Sequence, residues 1–365
     1  MRILQVIDSL RQGGAQKLLV TFVEQAVNHG VDVAIASLSD NSATPLAPLL
    51  QSKGAQISSF PGRRLFSPAR FIAFYKYVRA GKFSVIHSHL TYANILSYLV
   101  GKLCGVPVVS SLHSTGQDKR HANYLRDNME LWGLQRAARV IAVGQSVKQA
   151  YGLLGDKIIV VPNGVERGIA LTVSERDEIR RSITGQPTRP ILISVGRLSP
   201  DKCFDDLLHG FAFAHQQRPD ATLVIAGDGV LREDLIAQTK ALNLTDSVFW
   251  LGMRDDIPSL LAASDIYVNV SKREGLPIAL LEAMAAGLPL VVTPVGDTPH
   301  LVREDAGIQV PVHNPQEFSD AVVSLLTNPD RRRALGVKAR DRALNEYSAN
   351  KWFEDLLRCY QEISN

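Results

Sequence analysis

Two glutamates eight residues apart, Glu274 and Glu282, carry the most chemistry in this sequence. They lie in the run SKREGLPIALLEAMAAGLPLVVTP, residues 271–294. Pro277 suits a first helical position, where its missing N–H costs nothing. Gly287 followed by Pro289 reads as a helix stop. Glu274 is therefore expected in a loop just before a helix, with Glu282 about two turns inside it. Leu288 to Thr293 reads as the next buried strand. A helix start presents free N–H groups and a partial positive charge, which attract phosphate. Carboxylates beside such a start repel phosphate and suit sugar hydroxyls instead. A surface glutamate plus an ordinary helical one is the plain alternative, and only the surrounding residues separate the two readings.

Those surroundings include Arg197 and Lys202, in GRLSPDK at 196–202. Arg197 leaves an apolar run that reads as a strand, and Lys202 precedes a helical pattern. A guanidinium fork and an ammonium point charge at one strand end form a clamp for a diphosphate. Solvated loop cations are the alternative. Gly13-Gly14 follows the first strand and lets backbone approach a ligand closely. Neither it nor Gly227-Asp228-Gly229 completes the glycine spacing of a dinucleotide fingerprint, and a tight turn explains either alone. His87-Ser88-His89 ends a strand with no third metal ligand nearby in sequence, which favours cleft lining or core packing. His113 also follows a strand, where a functional histidine and a packed one look alike. No Asp-x-Asp occurs in the chain, so metal-assisted neutralisation of a diphosphate is not expected, and no cofactor or metal site is assigned.

The elements that must position these residues alternate. Ile3–Ile7, Val31–Ser37, Val85–Ser88, Val106–Ser111, Val140–Val143 and Ile158–Val161 read as strands, with amphipathic helical patterns between them, such as Ala15–His29 and Asn94–Leu103. The second half repeats the scheme with Ile191–Val195, Thr222–Ala226, Val248–Leu251, Ile266–Asn269 and Leu290–Thr293. Such alternation implies right-handed βαβ units and parallel sheets. The polar stretch 167–190 marks a boundary. The expected fold is α/β with two doubly wound Rossmann-like domains, 1–166 and 167–348, and a last helix at about 349–365 crossing back to the first. Ligands of such sheets bind at the carboxyl ends of strands, so a cleft between the domains is expected.

Composition excludes several classes. The 365 residues exceed what one hydrophobic core usually serves, and a net charge of +4 is too small to imply nucleic acid. The apolar start MRILQVI is too short for a signal peptide. Cys104, Cys203 and Cys359 show no metal or disulfide spacing, which suggests a reducing compartment. A cytoplasmic protein is expected. The segment from Arg63 to Lys82 holds six cations, no acid and several aromatics. It reads either as a peripheral contact with an anionic membrane or as a core helix with solvated cations.

In order and spacing these segments resemble the retaining glycosyltransferases of family 4, which have the GT-B fold. The match runs through Gly13-Gly14, His113, VIAVGQSVK, VVPNGV, VGRLSPDK, VIAGDG, LGMRDDI and Glu274-x7-Glu282 with AMAAGLPLVVTPVG. The resemblance implies a hexosyltransferase-type enzyme. It would move a sugar from a nucleotide-diphosphate donor to a glycan or lipid-linked hydroxyl acceptor, in surface glycan or glycolipid synthesis. It implies that Arg197 and Lys202 contact the diphosphate, Glu282 the ribose and Glu274 the transferred sugar. Backbone amides of Gly275, Leu276, Ile278 and Ala279 would face sugar and phosphates. Arg254 would meet the base through its main chain, Gly227 would line the donor site, and Gly14 and His113 would approach from the first domain. Segments 40–66 and 113–130 would meet the acceptor. Asp297 and His300 depart from the family's usual glycine and glutamate. A nucleotide-sugar epimerase or hydrolase, or a non-catalytic sugar-nucleotide binding module, remains the alternative.

Overall fold

The computed structural model describes every residue except 12, 42–43, 63–66, 117–123 and 365. The chain divides into two compact units, Met1–Gly164 with Ala349–Asn365, and Val165–Ser348.

The first unit carries seven strands: β1 (Arg2–Ile7), β2 (Asp32–Ser37), β3 (Gln56–Ser59), β4 (Val85–His89), β5 (Val108–Leu112), β6 (Arg139–Ala142) and β7 (Ile158–Val160). Its helices are α1 (Gly14–Asn28), α2 (Leu46–Ser52), α3 (Pro68–Gly81), α4 (Thr91–Cys104), α5 (Tyr124–Leu134) and α6 (Gln145–Ala150). The sheet order is β3-β2-β1-β4-β5-β6-β7, with every pairing parallel. Helices cover both faces of such a sheet, which explains why β1 and β4 are buried along almost their whole length. The order reverses between β1 and β4, where doubly wound sheets open a crevice at their carboxyl ends.

The second unit repeats this plan. Its strands are β8 (Ile191–Val195), β9 (Thr222–Ala226), β10 (Val248–Gly252), β11 (Ile266–Asn269), β12 (Leu290–Val292) and β13 (Gly307–Gln309). Its helices are α7 (Val173–Thr184), α8 (Phe204–Gln217), α9 (Arg232–Ala241), α10 (Ile257–Ala263), α11 (Ile278–Ala285), α12 (Thr298–Val302), α13 (Pro315–Thr327) and α14 (Pro329–Glu346). The parallel order is β10-β9-β8-β11-β12-β13, which reverses between β8 and β11. Buried Arg180 fastens α7 to this sheet. Its guanidinium pairs with Asp265 and donates to the Ala263 carbonyl, while Asp265 accepts from the Ile191 amide at 2.8 Å.

The last helix, α15 (Ala349–Ser364), belongs to the first unit. Its apolar face buries Trp352, Phe353, Leu356 and Tyr360. Phe353 and Trp352 meet Phe22 of α1 edge-on, at centroid distances of 5.0 and 6.1 Å. Gly164 admits this helix closely, because a methyl group there would lie 2.6 Å from Trp352 Cβ.

Several expectations need correction. Pro277 caps α11 with an extended backbone (ψ 120) and is not its first helical residue. Glu282 consequently lies just over one turn inside the helix, not two. Strands β3 and β13 were not expected; both are short edge strands. In the basic segment, Arg63, Arg64 and Phe66 lie outside the described residues. Phe74 is fully buried, and Phe60, Tyr77 and Phe83 form a ring cluster with it on the core. Lys76, Arg79 and Lys82 remain exposed. Among the described residues, no helix is long and apolar enough to cross a membrane.

Candidate active site

In the second unit the candidate residues gather at the carboxyl ends of β8 and β11, where the strand order turns. Lys202 Nζ donates to Glu274 Oε1 at 2.5 Å, and the Glu274 side chain is only 8% exposed. Ser271 Oγ and Asn269 Nδ2 donate to the same oxygen at 2.7 and 3.3 Å. Three donors thus hold the carboxylate, and Asn269 comes directly from the end of β11. The loop is fixed on the other side by its backbone, since the Lys272 amide donates to the Asp201 carbonyl at 3.0 Å. The turn bearing Lys202 and the loop bearing Glu274 therefore move together.

Arg197 is exposed at the end of β8. Asp201 sits between the cations; although burial works the other way, its hydrogen bond from Ser199 and the charges of Lys202 and Arg197 leave its carboxyl below the usual range. Glu282 projects from α11, and both it and Glu274 act on the fully buried phenol of Tyr267, which burial, above all, pushes well up.

The start of α11 has no side-chain cap. Its first intrahelical bond runs from the Leu281 amide to the Pro277 carbonyl, so the amides of Ile278, Ala279 and Leu280 have no intrahelical partner. Gly275 and Leu276 precede this opening. The Gly275 carbonyl is turned away from it by the Asp297 amide, at 3.1 Å. An open helix start, two cations and two acids within one loop system can bind an anionic group flanked by hydroxyls.

Gly227 and Arg254 take less direct positions. Gly227 (φ +145) packs on β8, where a methyl group would lie 1.9 Å from the Gly196 carbonyl oxygen. Its lack of a side chain is thus required by the protein's own backbone. The Arg254 guanidinium is held by Asp256 at 2.6 and 2.7 Å.

Gly14 and His113 lie in the first unit. Gly14 is the exposed first residue of α1. His113 follows β5 and ends a buried chain: Gln5 Oε1 accepts from His89 Nε2 at 2.7 Å, and His89 Nδ1 meets His113 Nε2 at 3.1 Å. With the Gln5 amide in this orientation, His89 Nδ1 accepts and His113 Nε2 donates, so His113 Nδ1 carries a lone pair. His87 bridges Tyr360 of α15 and Ser111, at 2.5 and 2.7 Å. Burial holds His113 at about 4 and His87 at about 3. These histidines are neutral at physiological pH, and both ring nitrogens of His87 and of His89 meet protein partners.

His113 lines a cavity of about 380 Å³ with Asp8, Asn94, Arg126, Glu130 and Tyr151. Sequence reading missed Asp8, Asn94 and Glu130. Asp8 immediately follows β1, a position that favours function, but one acid among many gave no further signal. Its carboxylate accepts from the Ala93 amide at 2.7 Å at the start of α4. Glu130 is 4% exposed and accepts from Thr91 and Asn94, both at 3.0 Å. The cavity is therefore rich in hydroxyl-binding groups. The segment expected at the acceptor, 113–130, contributes to it, although 117–123 lie outside the described residues.

Burial raises Asp8 from an ordinary 3.8 to about 7, against the opposing Ala93 amide. Between those values the native state binds more protons than the unfolded state, so this group's contribution to stability falls as pH rises through that window. Asp8→Asn keeps a carbonyl for the Ala93 amide and removes the charge. The variant should be more stable than the parent at about pH 8 and lose that advantage toward about pH 5. Urea midpoints at both pH values measure this, and equal midpoints at the higher pH contradict it.

Residues 12–168 match the family described as Glycosyltransferase Family 4, and residues 175–342 match Glycosyl transferases group 1. A D-inositol 3-phosphate glycosyltransferase of Salinispora arenicola is 30% identical over 317 residues, covering 78% of this chain and 69% of that protein. The chain belongs to glycosyltransferase family 4. The transferase is also 27% identical to the Escherichia coli UDP-Gal:alpha-D-GlcNAc-diphosphoundecaprenol alpha-1,3-galactosyltransferase, over 80% of this chain and 79% of that one. HepE of Anabaena in complex with UDP-glucose superposes with a TM-score of 0.88 at 20% identity, covering 99% and 100% of the two chains. That likeness establishes the GT-B fold. The relatives transfer sugars, which favours transfer over the epimerase, hydrolase and non-catalytic alternatives.

Proposed function

We propose that the transferase moves a hexose from a nucleotide-diphosphate donor to a hydroxyl acceptor with retention at the anomeric carbon. The observation that carries this reading is the Lys202–Glu274 pair beside the uncapped start of α11. An ammonium has three donors. Lys202 can keep one on Glu274 and turn the others to the diphosphate, with Arg197 adding a bidentate contact. The α11 amides receive the phosphate oxygens, Glu274 holds sugar hydroxyls and Glu282 the ribose.

Transfer follows a front-face route in this reading. The bond from the anomeric carbon to the diphosphate oxygen breaks, and the acceptor oxygen bonds to the same face. The acceptor proton passes to the departing diphosphate, whose charge Arg197 and Lys202 stabilise. No divalent ion on the diphosphate is required. His113 Nδ1 accepts from a sugar hydroxyl, and the Asp8–Glu130 cavity takes a polyhydroxylated acceptor. A role in surface glycan or glycolipid synthesis at the cytoplasmic face fits the lipid-linked acceptor of the E. coli relative. Lys76, Arg79 and Lys82 supply an electrostatic contact with anionic lipid there, because the aromatics of α3 pack inward.

A thermal-shift screen of nucleoside diphosphates and their sugars identifies the donor, since a ligand of the native state raises the midpoint. Uridine compounds are expected to act, as HepE binds UDP-glucose. The anomeric configuration of the first product, read by NMR, tests retention; an inverted product ends the front-face route. Sedimentation with anionic vesicles at low and high salt tests the membrane contact, which should vanish at high salt.

A further inference from the structure

Cys203 and Asp206 stand together at the start of α8 and His313 lies far along the chain, yet the ligating atoms of all three lie within 4.8 Å of one another. Cys203 immediately precedes α8, Asp206 is in its first turn, and His313 lies in the loop between β13 and α13. His313 Nδ1 is 2.6 Å from Asp206 Oδ2. The thiol is buried, whereas the His313 side chain is 58% exposed, which gives an ion a path in.

The geometry points to a zinc site made by these three side chains, with water as the fourth ligand. One sulfur, one imidazole nitrogen and one carboxylate oxygen form the mixed donor set of a tetrahedral borderline-soft ion; magnesium and calcium prefer oxygen alone. A second observation concerns the backbone. Cys203 and His313 both hold left-handed conformations, at φ +49 and φ +59, where glycine is unstrained. The thiol donates weakly to the Pro200 carbonyl at 3.7 Å, a contact that the ion would replace. On binding, the thiol proton leaves to solvent. The neutral imidazole carries its hydrogen on Nε2 and offers the Nδ1 lone pair, and the ion replaces the hydrogen bridge to Asp206. The bound ion ties the first turn of α8, next to Lys202, to the His313 loop. This inference stands apart from the proposed transfer reaction.

The test is a titration of the full-length, chelator-stripped protein with cobalt(II), followed by displacement with zinc. One equivalent should produce tetrahedral visible bands and a near-ultraviolet sulfur-to-cobalt band. Cys203→Gly suits the backbone there and should abolish the sulfur band. It should weaken zinc binding by more than the roughly 100-fold lost with a supporting partner. Cys104 and Cys359 stay in place, so a sulfur band that survives Cys203→Gly overturns the site, as does a parent protein that never shows one. Should Cys203→Gly fail to fold, His313→Gly decides: a comparable loss of zinc affinity supports the site, and unchanged affinity overturns it.

Discussion

Replacing Lys202 with alanine is expected to lower turnover by about 10²-fold to 10³-fold, the scale of losing one preorganised contact to developing charge. The same substitution removes the 2.5 Å partner of Glu274. Ser271 and Asn269 still donate to that carboxylate, so the cost to folding should stay near 2 kcal/mol, as for a hydrogen bond to a charged group. These effects separate two roles for the lysine. If it grips the diphosphate, the variant loses the thermal shift given by the nucleoside diphosphate alone, which has no sugar for Glu274 to hold. A lysine that merely positions Glu274 leaves that shift intact and affects only the sugar-bearing donor. Normal turnover in Lys202→Ala removes the cation clamp altogether.

Gly296→Ala should be nearly as damaging, although the residue contributes no functional group. Its φ is +57, and a methyl group would lie 2.3 Å from the Glu274 carbonyl oxygen and 2.8 Å from that of Gly275. Both oxygens belong to backbone, so the Glu274 loop itself must shift. A displacement of about 1 Å in a positioning group can cost about 10²-fold in rate. Overpacking adds about 1–3 kcal/mol of destabilisation. Gly185→Ala provides the control, because Gly185 (φ +75) caps α7 and a methyl group there meets nothing within 4 Å. It carries the left-handed penalty of about 1 kcal/mol and should leave turnover unchanged. Equal kinetics in the two variants would show that the Gly296 contact does not position Glu274.

The parts of the fold that were legible in the sequence are those whose residues are buried on both sides. Strands β8, β9 and β11 carry apolar runs bounded by polar turns, and their observed limits match the expected ones. Strand β3, with the sequence QISS, is half-exposed at the sheet edge and has almost no apolar signal. Strand β13 has three residues and starts at a glycine that lets it approach Leu290. The misplaced start of α11 has a similar cause. Proline fixes φ but leaves ψ open, and Pro277 takes the extended value. The positions of Arg197, Lys202 and Glu274 beside strand ends, and of Glu282 within a helix, follow from elements with a clear pattern. The grouping of Asp8 with Asn94 and Glu130, and of His313 with Cys203 and Asp206, was not legible, because it arises only when elements distant in sequence fold together.

The helix α15 has one more consequence. The second unit is inserted within the first, since segments on both sides of it build one sheet-and-helix layer system. During synthesis the amino-terminal unit waits, with Phe22 lacking its ring partners and His87 lacking Tyr360, until α15 leaves the ribosome. Its nascent form exposes the groove that Trp352, Phe353 and Tyr360 later fill, so an early stop codon near residue 348 would harm the half of the protein made first.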